Sequence, residues 1–209
     1  MASRPVTGIA RTVSKYTGRT PAQYNGIARA GELVIDLDDY AVYLGKEDGS
    51  LTLIRSNSGT TGYYGTFYST ITQTNPVANT AIAVTYNATN LSNGVSIVDN
   101  SKITMAHAGI YNIQFSLQVD KTDPGEDIID LWLSKNGVNV NWTNTSVSLP
   151  KTNSKFVAAW NFVEEAAPGD YFQIMWASAD TSMRIYARPP TTNPDRPGIP
   201  SVILTVTEN

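Results

Sequence analysis

Short runs of alternating apolar and polar residues recur from residue 66 to the end of the chain. Gly109–Val119 shows the pattern most fully. Tyr111, Ile113, Phe115, Leu117 and Val119 occupy one parity; Ile110, Asn112, Gln114, Ser116 and Gln118 occupy the other. A strand sends alternate side chains to opposite faces, so the first set is expected in a core and the second on an outer face. Further strand signals cover Phe67–Thr72, Ala81–Tyr86, Gly94–Val98, Lys102–Met105, Ile128–Lys135, Phe156–Glu164, Asp170–Ser178, Met183–Ala187 and Val202–Val206. Trp132, Trp160, Phe172 and Trp176 add large groups at strand positions. No segment here joins a helical period to capping residues. So many short strands predict an all-β, two-sheet sandwich, a jelly roll, over residues 66–209.

The first part of the chain reads differently. Gly31–Asp36, Tyr40–Leu44 and Leu51–Ile54 predict three short strands, turned at Asp38-Asp39 and at Gly45–Gly49. A β-meander over residues 31–54 is too small to bury a core alone and is expected to dock on another domain or on copies of itself. Residues 55–65 have the composition of a linker, with Tyr63 and Tyr64 placed to pack at an axis. Residues 1–30 hold Pro5, Gly8, Gly18, Pro21 and Gly26, which forbid a long helix. They predict an extended arm reaching roughly 100 Å, either a free tail or a segment ordered against a partner.

Charge separates the arm from the rest. Arg4, Arg11, Lys15, Arg19 and Arg29 are unopposed by any carboxylate before Glu32, whereas all eighteen acidic residues follow. The whole chain is −3, so a cationic arm precedes an acidic β-body. Sparse charge and only two interleaved aromatics, Tyr16 and Tyr24, fit an acidic protein surface better than nucleic acid. The chain has no cysteine, which excludes disulfides, thiolate metal sites and cysteine nucleophiles. It shows no apolar run near 18 residues and no secretory h-region, so no membrane partner is expected. Without a secretory route, the Asn-x-Ser/Thr triplets at Asn87, Asn90, Asn141 and Asn144 carry no meaning.

Three segments go beyond generic strands: Ala108-Gly-Ile-Tyr-Asn-Ile-Gln-Phe-Ser-Leu-Gln118, Leu131-Trp-Leu-Ser-Lys-Asn-Gly137 and Pro168-Gly-Asp-Tyr-Phe-Gln-Ile174. In this order they resemble the jelly rolls of the C1q/TNF-like superfamily, including those on phage structural proteins. The resemblance covers residues 66–209 and implies a homotrimer packed through an apolar and aromatic sheet face. Asn136-Gly137 is also a type I′ hairpin signal in its own right. Separately, Ala30–Gly45 resembles a unit found near the N-terminus of many phage tail-fibre and head-fibre proteins. Such units are trimeric and lie near the attachment end.

Candidate chemistry is thin. His107 is the only histidine, which leaves no triad or metal pair to build. Carboxylates cluster at Asp36, Asp38 and Asp39, and at Asp123, Glu126, Asp127 and Asp130. The second group sits in a turn; solvated turn residues, calcium ligands and a glycosidase pair are its three readings. Five prolines among residues 189–200 make a stiff loop, with Arg188, Asn193, Asp195 and Arg196 as candidate recognition residues. No cofactor is expected.

These features predict a non-enzymatic virion protein of a tailed bacteriophage, made in the host cytoplasm and displayed on the outer surface of the particle. It would be a homotrimeric capsid-decoration or head-fibre protein. Its attachment residues would be Arg4, Arg11, Lys15, Tyr16, Arg19, Tyr24 and Arg29, against capsid, neck or tail proteins. The alternatives are a receptor-binding tail or neck tip holding a host surface glycan or protein, and a carbohydrate-active enzyme using the carboxylates at 123–130.

Overall fold

The computed structural model describes residues 14–16, 30–36, 41–55 and 62–209, and every regular element among them is a β-strand. The chain divides into two compact units, residues 1–61 and 62–209.

The first unit is a four-stranded sheet of β1 (Ser14–Tyr16), β2 (Leu33–Asp36), β3 (Ala41–Gly45) and β4 (Leu51–Arg55), in that order. Strands β2 to β4 form the antiparallel meander that the sequence suggests. Its second reversal is built by Asp48, whose carboxylate accepts the Ser50 hydroxyl (2.6 Å) and N–H (2.9 Å). Those bonds hold the Asp48 pKa below its ordinary value. Strand β1 corrects the expectation of an arm without internal partners. It pairs in parallel with β2, with Lys15 opposite Ile35 and Tyr16 opposite Asp36. Ile9–Thr17 is the longest stretch of the arm free of Gly and Pro, and its Thr12, Val13 and Tyr16 favour extended backbone. Arg4, Arg11, Arg19, Tyr24 and Arg29 lie outside the described residues, as do Asp38 and Asp39.

The second unit begins with β5 (Tyr64–Ser69), β6 (Gln73–Thr74), β7 (Ile82–Ala83), β8 (Ala88–Asn93), β9 (Val95–Val98) and β10 (Lys102–Met105). The long strands β11 (Gly109–Lys121) and β12 (Asp127–Lys135) follow, then β13 (Val138–Asn139) and β14 (Thr145–Leu149). The chain closes with β15 (Lys155–Ala166), β16 (Tyr171–Ser178), β17 (Met183–Ile185), β18 (Thr191–Thr192), β19 (Asp195–Arg196) and β20 (Val202–Glu208). One sheet runs β15-β11-β20-β5-β8, with β17 and β6 continuing it beside the end of β11. The other runs β12-β16-β10-β9, with β13 and β14 both lying along the outer edge of β12. The chain passes from one sheet to the other between β6 and β7, β7 and β8, β8 and β9, β10 and β11, β11 and β12, β14 and β15, β15 and β16, and β16 and β17. Strands that pair within a sheet are therefore often distant in sequence, as in a jelly-roll sandwich.

The inward parity of both sheets makes one core. Tyr111, Ile113, Phe115, Leu117 and Val119 of β11 are buried, as their alternation predicts. They meet Ile129, Leu131 and Leu133 of β12, Phe172, Ile174 and Trp176 of β16, and Val202, Leu204 and Val206 of β20 in one cluster. Burying each such side chain contributes roughly 1.5–3 kcal/mol. The Asn136-Gly137 turn has both φ angles positive, 52° and 80°, as a type I′ hairpin requires.

Three expectations change. Only Ile82–Ala83 of the expected Ala81–Tyr86 strand pairs in a sheet; Val84 and Tyr86 bond the backbones of Ile174 and Asn100 instead. Tyr63 and Tyr64 belong to the sandwich rather than to a linker, since β5 starts at Tyr64. Strands β6, β8, β13, β14, β18 and β19 lie outside the segments the sequence predicts, β8 because an edge strand largely exposed on both faces carries no apolar alternation.

Candidate functional site: an uncharged sheet face and a proline hairpin

The outward face of the β15-β11-β20-β5-β8 sheet is laid out by cross-strand register. Asn112 lies between Val163 and Thr207, and Thr207 opposite Tyr64. Gln114 lies between Asn161 and Thr205, and Thr205 opposite Thr66, which faces Leu91. Ser116 lies between Ala159 and Ile203, and Ile203 opposite Tyr68. Gln118 faces Val157. Not one of these positions is charged, and Val157, Val163, Leu91, Ile203 and the neighbouring Ile110 are exposed apolar groups. Charge returns only at the ends, with Glu165 opposite Ile110 and Asp120 opposite Lys155. Such a field of apolar and neutral polar groups is suited to burial against a protein surface, because no ion must be desolvated.

The proline-rich segment folds beside this face. Arg188 and Ile199 exchange two backbone hydrogen bonds of 2.9 Å, and β18 pairs with β19 across a turn with a cis Asn193–Pro194 bond. A Cβ on Gly198 would sit 2.9 Å from the Arg188 carbonyl, so only glycine lets these strands close so tightly. A groove of about 630 Å³ runs between hairpin and sheet, with Tyr68 and Ile203 on the sheet side and Pro189, Pro190, Ile199 and Pro200 on the other. Arg188 also lines it. Asn193, Asp195 and Arg196 do not; they stand exposed at the hairpin tip, where Arg196 Nε donates to Thr191 Oγ1 at 3.3 Å. The structure thus splits the four candidate recognition residues between two places.

Asp123 and Asp127 share one lysine, while Glu126, Asp127 and Asp130 line a depression of about 420 Å³. Lys121, at the end of β11, is fully buried and points its ammonium into their turn. It contacts Asp127, Asp123 at 3.4 Å and the Gly125 carbonyl at 2.7 Å. Desolvation works against the charge of Lys121, but the hydrogen bonds it donates to Asp127 and Asp123 outweigh it and hold its pKa above the ordinary value. Asp180 brings a third carboxylate to Asp123 and Asp127. Asp123 accepts the Ser182 hydroxyl, which, with Lys121, keeps its pKa low. Glu126 accepts the Ser148 hydroxyl, and Asp130 accepts the Ser146 hydroxyl and the Asn144 amide. A resident ammonium therefore stands among the carboxylates suggested for calcium or for glycoside hydrolysis.

A second ion network lies one residue away. Arg184 clasps the buried Asp120 through Nε (2.6 Å) and Nη2 (3.0 Å), and Lys155 reaches the same carboxylate at 3.1 Å. Sequence reading missed Asp180 and Asp120 as partners because the segments that join them to their partners are far apart in the chain, and missed Lys121 because its burial depends on how the loop after β11 folds over it. His107 is exposed and stacks on Tyr63, ring centroids 3.8 Å apart.

By its fold, the chain is a jelly-roll sandwich protein with a small four-stranded sheet before it. No family model matches it, and no match is found among curated proteins.

Proposed function

We propose that the protein is a structural component of a tailed-bacteriophage virion: a homotrimeric capsid-decoration or head-fibre protein, anchored by its basic N-terminal arm and non-enzymatic. The uncharged outer face of the β15-β11-β20-β5-β8 sheet carries this reading. It offers three copies a common surface to bury around an axis, with Tyr64, Tyr68, Val163 and Ile203 as its large contacts. The cationic stretch supplies the complementary charge for an acidic capsid or neck surface, and three such arms give avidity that one lacks.

The test replaces Arg4, Arg11, Arg19 and Arg29 by Ser, which retains the length of the arm and β1. Particles assembled with this variant are expected to lack the protein although the variant remains a trimer. Particles decorated at the normal level would overturn the anchoring role. The second reading, a receptor-binding tail or neck tip, is favoured by the groove beside the proline hairpin. On that reading, Arg188→Ala abolishes host adsorption by particles that still carry a full complement of the protein.

A further inference from the structure

The edge of the β12-β16-β10-β9 sheet carries a feature that trimerisation does not use. Strands β13 and β14 both pair with β12, with Asn139 opposite Ser134 and Thr145 opposite Leu131. Between these pairs β12 has two residues, whereas the edge chain has five, residues 140–144. The surplus is extruded as a bulge, and it is pinned. Val140 N–H donates to the Leu133 carbonyl at 2.9 Å. The Thr143 hydroxyl accepts Leu133 N–H at 3.1 Å and donates to the Val140 carbonyl at 2.8 Å. Bulges of this kind re-aim a side chain.

The side chain re-aimed here is Trp142. It is 102% exposed, with no contact to hide its indole, and its φ is +66°. A bulky residue in the left-handed region is strained, and a fully exposed tryptophan forgoes the burial that stabilises most tryptophans. Both features stand in a bulge held rigid by three hydrogen bonds, which is how a fixed contact surface differs from a loose loop. Beside Trp142 is a depression of about 390 Å³, lined also by Trp132, Asp130, Asn139, Asn141 and Asn144. Trp132 is held by its Nε1–H on Asn139 Oδ1 at 2.8 Å. Asn144 Nδ2 donates to Asp130 Oδ1 at 3.2 Å. The Asn141 amide and Asn139 Nδ2 have no partner among the described residues, so they are free to bond a ligand.

We propose that this depression binds a neutral saccharide. A pyranose presents an apolar C–H face that stacks on an indole, and a rim of hydroxyls that pair with amides and a carboxylate. The lining supplies two indoles, three amides and one carboxylate. It contains no Lys or Arg, so an anionic sugar or phosphate gains no ion pair there. Its amides and carboxylate would be left unpaired against a lipid chain. Asp130 and Ala177 also line a neighbouring depression of about 420 Å³ with Ser146, Glu126 and Asp180, so an oligosaccharide can extend from one into the other. The volume of the depression falls within the range of small-ligand sites. This site is independent of the arm and of the trimer face, and three copies would multiply weak single-site affinity.

The experiment titrates the full chain with maltohexaose, cellohexaose, mannohexaose and galactohexaose, read by tryptophan fluorescence and by saturation-transfer NMR. At least one is expected to bind with a Kd of about 1 mM or tighter. Trp142→Ala should weaken it at least tenfold, Asn141→Ala by less, and Trp142→Phe should recover part of the loss. Sedimentation of every variant should match the parent. The proposal is overturned if none of the four binds, or if Trp142→Ala binds as well as the parent. It is also overturned if Trp142→Ala breaks up the oligomer, which would make the indole a subunit anchor. A protein that binds sugar through Trp142 but sediments as a monomer would sink the trimer and leave the saccharide site standing.

Discussion

The two outward faces of the sandwich are built from the same alternating strands, yet they differ in chemistry. The β15-β11-β20-β5-β8 face has Asn, Gln, Ser, Thr and aliphatic groups in register and no charge across its middle. The β12-β16-β10-β9 side carries Asp130 and Lys102, is bordered by the Lys135–Asp170 and Lys102–Asp99 ion pairs, and displays Trp132 and Trp142. A face that can be dehydrated without stripping an ion suits a broad contact with another copy. A face with separated polar groups around an exposed indole suits a small polar ligand. Fold alone does not separate these tasks; the outward residues do.

The largest expected effect breaks the comparison at the uncharged face. Ile203→Asp places a carboxylate where copies would meet, and light scattering should find a monomer. Ile128→Asp, similarly exposed on the other side, should leave the assembly whole. Since Ile203 is about half exposed on a central strand, the monomer itself should lose about 1–2 kcal/mol and remain folded. Dissociation by both substitutions would erase the distinction between the faces.

The next effect concerns Lys121. Lys121→Met leaves Asp123 and Asp127 facing each other without their cation, so the melting temperature at neutral pH should fall. Asp123 is held below its ordinary pKa in the folded protein, so its contribution is present above about pH 4 and is lost as pH falls. The deficit of the variant should therefore shrink on acidification. Calcium should raise the melting temperature of Lys121→Met but not that of the parent, because only the variant has vacated the position. A calcium shift in the parent would contradict the role given to the lysine.

A smaller effect is expected at Asp170. Its carboxylate accepts the Ala167 N–H at 2.9 Å and the Asn136 amide at 2.8 Å and lies 3.0 Å from Lys135. These partners, the backbone N–H foremost, hold its pKa down to about 2. Its stabilisation is complete above the unfolded value near 4 and disappears as pH falls toward 2. Circular dichroism melts should show that decline in the parent, and Asp170→Asn should be less stable at pH 7 and flatter between pH 4 and pH 2. Smallest of all, Val138→Lys alters a residue 70% exposed and outside both proposed contact surfaces, so stability, mass and sugar binding should all hold within error.

Much of the fold was legible because burial on one face writes a period of two into the sequence. Strand β11 was readable in this way, and the Asn136-Gly137 turn from the preference of Asn and Gly for positive φ. The outward parity of β11 was readable too, though not its extension across β20, β5 and β15, which depends on register. What stayed hidden was hidden for a common reason. Lys121 reads as a surface lysine until the loop after β11 folds its carboxylates over it. Asp120 meets Arg184 only because β17 pairs with the end of β11. Strand β8 and the bulge at 140–144 lie at sheet edges, where little apolar surface is buried and the periodic signal fades. Trp142 could have been noticed as a tryptophan among asparagines, in Asn139-Val-Asn-Trp-Thr-Asn144, a context poor in core-forming neighbours.

The central claim is that the uncharged face joins three copies, and sedimentation equilibrium on the full chain tests it most directly. The account predicts a single species of three times the 22.7 kDa chain mass, reduced to one chain mass by Ile203→Asp. A parent protein that sediments as a monomer at micromolar concentration, or a trimer indifferent to Ile203→Asp, would contradict it.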